Sequence, residues 1–158
     1  MGRPNWDEYF IHVIEVIAER STCDRGKSGA LIAKDNRILA TGYVGSPPGM
    51  PHCDDIGHEM VTVTDDKGNA TEHCVRTIHA EYNALSQAAK FGVSVNLATM
   101  YSKMVPCYSC ATAIVGAGLV RVVTAKDYHV SARSKELFQK RGIGLLILDP
   151  NVETYKRM

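Results

Sequence analysis

The chain has 158 residues, of which 45% are hydrophobic and 22% charged, a length that fits one domain with a sizeable core and a composition that excludes intrinsic disorder and a disulfide-only scaffold. Its 18 basic and 17 acidic side chains leave a net charge of +1. That balance excludes attachment to a nucleic acid polymer through an overall field and directs attention to small-molecule partners.

Asn5 with Glu8 three positions on forms a helix-capping pair ahead of an apolar series, Trp6, Tyr9, Phe10, Val13, Ile14 and Ile17, whose spacing predicts a core-facing helix to Arg20. Ser28 to Lys34 and Arg37 to Val44 read as strands joined by an Asp35-Asn36 turn, an antiparallel hairpin. From about residue 45 to 77 no periodicity appears; Pro47, Pro48, Pro51 and the run TDDKGNAT mark a long irregular insertion within a single domain spanning 1–158. A helix is predicted over Ile78 to Phe91, with Gly92 as the residue that closes it. A strand near Ala98 to Ser102, a helix from about Cys107 to Ala117, a strand at Leu119 to Ala125, a helix around Ser131 to Arg141 and a strand at Ile143 to Asp149 follow. Strands alternating with helices after an opening hairpin predict an α/β sandwich.

No apolar run approaches the roughly 20 residues of a membrane span, and the start MGRPNWDEYF is too polar for a signal peptide, so a cytoplasmic location is expected. In that compartment the five cysteines, Cys23, Cys53, Cys74, Cys107 and Cys110, are expected as thiols, and metal ligation is the first alternative to simple packing. Cys107 and Cys110, three apart at the start of a helix, place both sulfurs on one side. The helix N-terminus favours their thiolates. His79 adds a nitrogen, and three protein ligands are what a catalytic zinc uses while keeping a fourth position for water. Glu81, two residues beyond His79, points roughly 200° away on a regular helix, so it is expected beside the bound water as a base rather than as a fourth ligand. A lone CxxC also suits redox pairs and structural half-sites; the conjunction HAE then PCxxC, each opening a helix, is much more specific.

H-x-E followed by P-C-x-x-C is the signature of zinc nucleobase deaminases. Beyond it, the chain resembles the deoxycytidylate (dCMP) deaminase family in WDEYF, RSTC (Arg20–Cys23), GALI (Gly29–Ile32), ILATGY (Ile38–Tyr43), HCDDIGHEM (His52–Met60), HCVRTIHAEYNAL (His73–Leu85) and PCYSCATAIVGAGLVRVV (Pro106–Val123). The resemblance implies a three-layer α/β/α cytidine-deaminase-like sandwich with a five-stranded mixed sheet, assembled as a hexamer. It implies hydrolysis of dCMP to dUMP with release of ammonia: zinc on His79, Cys107 and Cys110 binds the attacking water, and Glu81 carries the proton to ring N3 and assists departure of the amino group. It further implies activation by dCTP with Mg²⁺ and inhibition by dTTP.

Asn83 matches the Asn of the family's HAExNA run and either contacts substrate or bonds nearby backbone. Arg25 and Lys27 are candidates for the phosphate, and Tyr128 falls where the family has a tyrosine near substrate; each also has an ordinary surface or packing reading. The family's GYNG is here Gly42-Tyr43-Val44-Gly45, and valine replaces an Asn near bound nucleotide. dCTP or a 5-modified dCMP therefore stands as an alternative substrate, with a tRNA adenosine deaminase or a silent nucleotide sensor further off. Cys23, Cys53, His73 and Cys74, with His58 as another candidate, are candidates for a second, structural zinc that would tie down the long loop, the alternative being cysteines that pack as small buried apolar residues.

Overall fold

The computed structural model describes residues 2–64 and 67–153. Asn5 opens α1 (Trp6–Ala18) as a reciprocal cap: its side chain accepts from the Glu8 N–H at 2.9 Å and its own N–H donates to Glu8 Oε2 at 3.0 Å. β1 (Gly29–Lys34) and β2 (Arg37–Tyr43) pair antiparallel, and the two turn residues, Asp35 at φ 50° and Asn36 at φ 59°, adopt the left-handed backbone that a two-residue hairpin requires. The chain continues through α2 (Cys53–Ile56), β3 (Met60–Thr64), β4 (Ala70–Cys74), α3 (Ala80–Lys90), β5 (Thr99–Met104), α4 (Tyr108–Gly116), β6 (Arg121–Tyr128), α5 (Ala132–Lys140) and β7 (Gly144–Glu153). Gly92, at φ 66°, ends α3 in the left-handed conformation expected of it.

The main sheet has five strands in the order β2-β1-β5-β6-β7. β1 runs antiparallel to both β2 and β5, whereas β5, β6 and β7 are parallel, so the sheet is mixed. Alternation along the strands sends side chains to two faces. Leu31, Ala33, Tyr101 and Val123 meet Phe10, Ile11 and Ile14 of α1. Ala30, Ile32, Met100 and Val122 meet Ala84 of α3, Ile114 of α4 and Phe138 of α5 on the opposite face. The result is a three-layer α/β/α sandwich, and each of these large buried aliphatic or aromatic side chains contributes about 1.5–3 kcal/mol by leaving water. Across the α1 face, Arg121 donates from both terminal nitrogens to Asp7 at 2.8 Å each, and the Tyr101 hydroxyl donates to Asp7 Oδ1 at 2.8 Å. No helix among the described residues is long and apolar enough to cross a membrane.

The segment expected to be irregular contains α2 and a separate two-stranded antiparallel sheet, β3 with β4. This hairpin stands off the core: Val61 to Thr64 and Ala70 to His73 are all exposed. With neither face buried, no apolar alternation marks the strands. Asp65 and Asp66, between the two strands in sequence, lie outside the described residues.

Candidate active site

His79 and Cys107 both sit immediately before a helix, in extended backbone (φ −66°, ψ 151° and φ −60°, ψ 163°), and Cys110 lies one turn into α4. Two features aim α3 at this point. The Ile78 N–H donates to the Gly45 carbonyl at 3.0 Å, and Gly42 of β2 has no Cβ, which lets the first turn of α3 lie directly on the strand. α4 arrives from the carboxyl end of β5, the end at which parallel α/β sheets place their sites.

His79 Nδ1 lies 3.4 Å from Cys107 Sγ and 3.5 Å from Cys110 Sγ. An ion bonded to nitrogen at about 2.0 Å and sulfur at about 2.3 Å in tetrahedral geometry separates the two donors by about 3.5 Å. Both separations match that spacing, and the Glu81 carboxylate lies outside the group. The three donors share protons among themselves. A hydrogen bond from Cys110, followed by His79, brings Cys107 down to about 4, and the Cys107 thiolate in turn raises His79 to about 9. Cys110 is pushed up by that same bond to Cys107 and by burial. Thiolate, thiol and imidazolium share protons that a divalent cation would displace.

Burial raises the pKa of Glu81 above the ordinary carboxylate value, opposed by the positive charge of His79. The half-buried Tyr128 packs edge-on against His129 with ring centres 4.6 Å apart. Burial, then the negative charge of Cys107, raises its pKa, which puts the phenol within electrostatic reach of the ligand set. Asn83 does not point at this group; its amide donates to the Tyr43 carbonyl at 2.9 Å and ties α3 to the end of β2. Val44 is buried in the core beside Cys23 and Cys53. Lys27 lines a cavity of about 380 Å³ with Ile11, Ile14 and Ala18 of α1, on the sheet face opposite α3 and α4. Arg25 is half-buried, and its backbone bonds the Cys23 sulfur. Sequence reasoning missed two features of the surrounding loops. Thr22 Oγ1, Ser46 Oγ and His52 Nδ1 are buried without a hydrogen-bond partner among the described residues. The Arg133 guanidinium lies 3.7 Å over the ring of Tyr108, the residue after Cys107.

A second cluster gathers Cys23, Cys53, His58 and Cys74, with ligand atoms within 4.8 Å of one another. Cys53 and Cys74 sulfurs are 3.6 Å apart and Cys23 Sγ lies 3.5 Å from His58 Nδ1, against about 3.8 Å for sulfur to sulfur and 3.5 Å for sulfur to nitrogen on a tetrahedral zinc. His58 Nε2 faces Asp24 Oδ1 at 3.0 Å, the carboxylate-to-imidazole support that ligand histidines use. Burial raises Cys23, and raises Cys53 to about 12 with the help of its sulfur neighbours. Burial also acts upward on Cys74, but backbone hydrogen bonds from Arg76 and Glu59 outweigh it and bring Cys74 to about 7. His73 does not join. Successive residues of a strand face opposite ways, so with Cys74 turned to the cluster His73 turns outward, where Nε2 meets the Thr71 hydroxyl at 2.9 Å. His58 stands in the cluster where His73 was expected.

The family model for the cytidine and deoxycytidylate deaminase zinc-binding region matches residues 4–126. ComE operon protein 2 of Bacillus subtilis is 42% identical over 143 residues, covering 90% of this chain and 71% of the relative. The deoxycytidylate deaminase of Mycobacterium phage D29 is 38% identical over 130 residues, covering 80% of this chain and 99% of the relative. The crystal structure of dCMP deaminase from the cyanophage S-TIM5 in apo form superposes with a TM-score of 0.71 at 25% identity, over 92% of this chain and 99% of that one.

Proposed function

The chain belongs to the cytidine and deoxycytidylate deaminase family, and on that premise we propose that it hydrolyses deoxycytidylate to deoxyuridylate and ammonia. The observation that carries this reading is the convergence of His79, Cys107 and Cys110 at zinc-ligand spacing with the buried carboxyl of Glu81 two residues from His79. His79, Cys107 and Cys110 would hold the zinc, which would supply Lewis acidity that lowers the pKa of water. Glu81 accepts a proton from the attacking water and delivers it to ring N3 as the C4–O bond forms, then takes the proton of the new C4 hydroxyl and passes it to the amino group as the C4–N bond breaks and the carbonyl forms. A group that must both take and return a proton works best with a pKa near the working pH, and the upward shift of Glu81 moves it in that direction.

Ammonia release and zinc content measured on two variants test the reading. Glu81→Ala should keep its zinc and lose about 10²- to 10⁴-fold in turnover, whereas His79→Ala should lose both metal and activity. Full activity in Glu81→Ala refutes the role given to it. A panel of dCMP, dCTP, CMP, deoxycytidine and 5-substituted dCMP identifies the preferred substrate.

We also propose that Cys23, Cys53, His58 and Cys74 hold a second, structural zinc. Support comes from the donor spacing and from Asp24 behind His58. Such an ion would join the α1–β1 loop, α2 and the exposed hairpin, three segments with little apolar burial of their own. Family membership further leads us to propose a homo-hexamer, a cytoplasmic location, and control by dCTP with Mg²⁺ and by dTTP. Val44 is the residue at which that control would be lost, and rates against dCMP with and without each triphosphate distinguish the two outcomes.

A further inference from the structure

A 5′-phosphate carries about two negative charges at neutral pH, and a net charge of +1 supplies no general attraction for it, so its recognition has to be local. Lys27 lies beside α1, on the sheet face opposite α3 and α4. Arg133 lies in the first turn of α5, exposed, with its guanidinium 3.7 Å from the centre of the Tyr108 ring. Tyr108 opens α4 beside Cys107, and Tyr128, which precedes α5 on the same connection, feels the charge of Cys107. The carboxylates of α5 and of the connection leading into it are engaged by other cations. Asp127 accepts from Lys135 at 2.5 Å, from the Ser131 hydroxyl at 2.8 Å and from the Tyr128 N–H at 2.7 Å. Glu136, close enough to feel Arg133, pairs with Lys140 at 2.6 Å. Stacking occupies a flat face of the guanidinium and leaves its in-plane N–H groups to donate, and the ring holds the plane in one orientation.

We propose that Arg133, stacked on Tyr108 beside Cys107, binds the 5′-phosphate of the nucleotide and sets the preference for a nucleotide over the nucleoside. The proposal rests on the deaminase reading for its substrate, but its geometry belongs to Arg133 and Tyr108 alone. An arginine suits the task better than a lysine because two parallel N–H donors match two phosphate oxygens. Arg133 is a binding residue for a group remote from C4, so its loss should weaken binding far more than it slows the chemical step.

Two measurements on the zinc-loaded wild type, Arg133→Ala and Arg133→Lys separate this proposal from the reading beneath it. Steady-state deamination of dCMP and of deoxycytidine is followed by ammonia release, and binding of the product pair, dUMP and deoxyuridine, by calorimetry. Arg133→Ala is expected to lower kcat/KM for dCMP by about 10- to 100-fold, mostly through KM, and to weaken dUMP by a similar factor, while deoxycytidine and deoxyuridine change by less than about twofold. Arg133→Lys should fall between, because it keeps the charge and loses the stack and the paired donors. Wild-type preference for dCMP over deoxycytidine and for dUMP over deoxyuridine, retained unchanged in Arg133→Ala, overturns the proposal and leaves the deaminase reading intact. A wild type that turns over no dCMP but binds dUMP through Arg133 overturns the reaction and supports the phosphate site.

Discussion

Gly42→Ala tests whether catalysis depends on how closely α3 lies on β2. A Cβ at position 42 would stand 2.3 Å from the Ala80 carbonyl oxygen and 2.4 Å from the Ala84 nitrogen, where real contacts do not fall below 3.0 Å. The helix must therefore lift by at least about 0.7 Å, the shortfall between 2.3 and 3.0 Å. Both contacts are backbone, so no side chain can swing away to absorb the strain. Overpacking of this kind costs about 1–3 kcal/mol, which for a chain of this size lowers Tm by about 2–12 °C. The same displacement carries His79 away from Cys107 and Cys110, and misplacement approaching 1 Å costs on the order of 10²-fold in rate. Thermal melts, zinc content and ammonia release would be compared with Gly116→Ala, where a Cβ meets nothing within 4 Å and a neutral or slightly stabilising effect is expected. Wild-type Tm and turnover in Gly42→Ala would refute the link between strand packing and the ligand geometry.

Asp7→Asn should destabilise by about 1–2 kcal/mol at pH 7, a figure that allows for the 39% exposure of the Arg121 side chain. The hydrogen bonds from Arg121, then Tyr101, hold the Asp7 carboxyl below its ordinary value of 3.8, with burial acting the other way. A depressed carboxylate contributes stability that is present above the ordinary value and lost as pH falls through the native one. The gap between wild type and variant in urea melts should thus narrow between pH 5 and pH 2, measured at about one-unit steps; a gap independent of pH would contradict the ion-pair account. Cys53→Ser is expected to reduce zinc from two ions per chain to one and to lower Tm, whereas His73→Ala should leave both unchanged. Loss of zinc in His73→Ala would reinstate the histidine that the strand geometry turns outward.

The parts of the fold legible in the sequence are those in which a local rule and a buried face agree. Asn5 and Glu8 announced α1, Asp35-Asn36 announced the hairpin, and the apolar runs at β1, β5 and β6 are strands buried on both faces. His79, Cys107 and Cys110 were legible because the metal chemistry fixes both residue type and spacing. β3 and β4 were not, because Met60 to Thr64 and Ala70 to Cys74 bury almost nothing and so carry no alternating signal. The choice between His58 and His73 needed the knowledge that Cys74 lies on a strand, since only then are neighbouring residues forced apart. Arg133 was invisible because its partner, Tyr108, belongs to another helix, and the position of Lys27 before a strand does not say which face of the sheet it serves.

The placement of His79 and Cys107 directly before α3 and α4 has a consequence for how activity can be lost in descent. These are the positions where Ser, Thr, Asp or Asn ordinarily caps a helix, a contribution of about 1 kcal/mol, and neither residue makes a side-chain cap bond. The chain has given up two ordinary caps for two metal donors, so in the zinc-loaded protein the ion, rather than a side-chain oxygen, would tie the starts of α3 and α4 together. A lineage that kept the ion for its structure after losing catalysis would be held to its histidine and cysteines by stability alone. Glu81 is under no such constraint, and its presence or absence is therefore the better mark by which a working relative is told from a silent one.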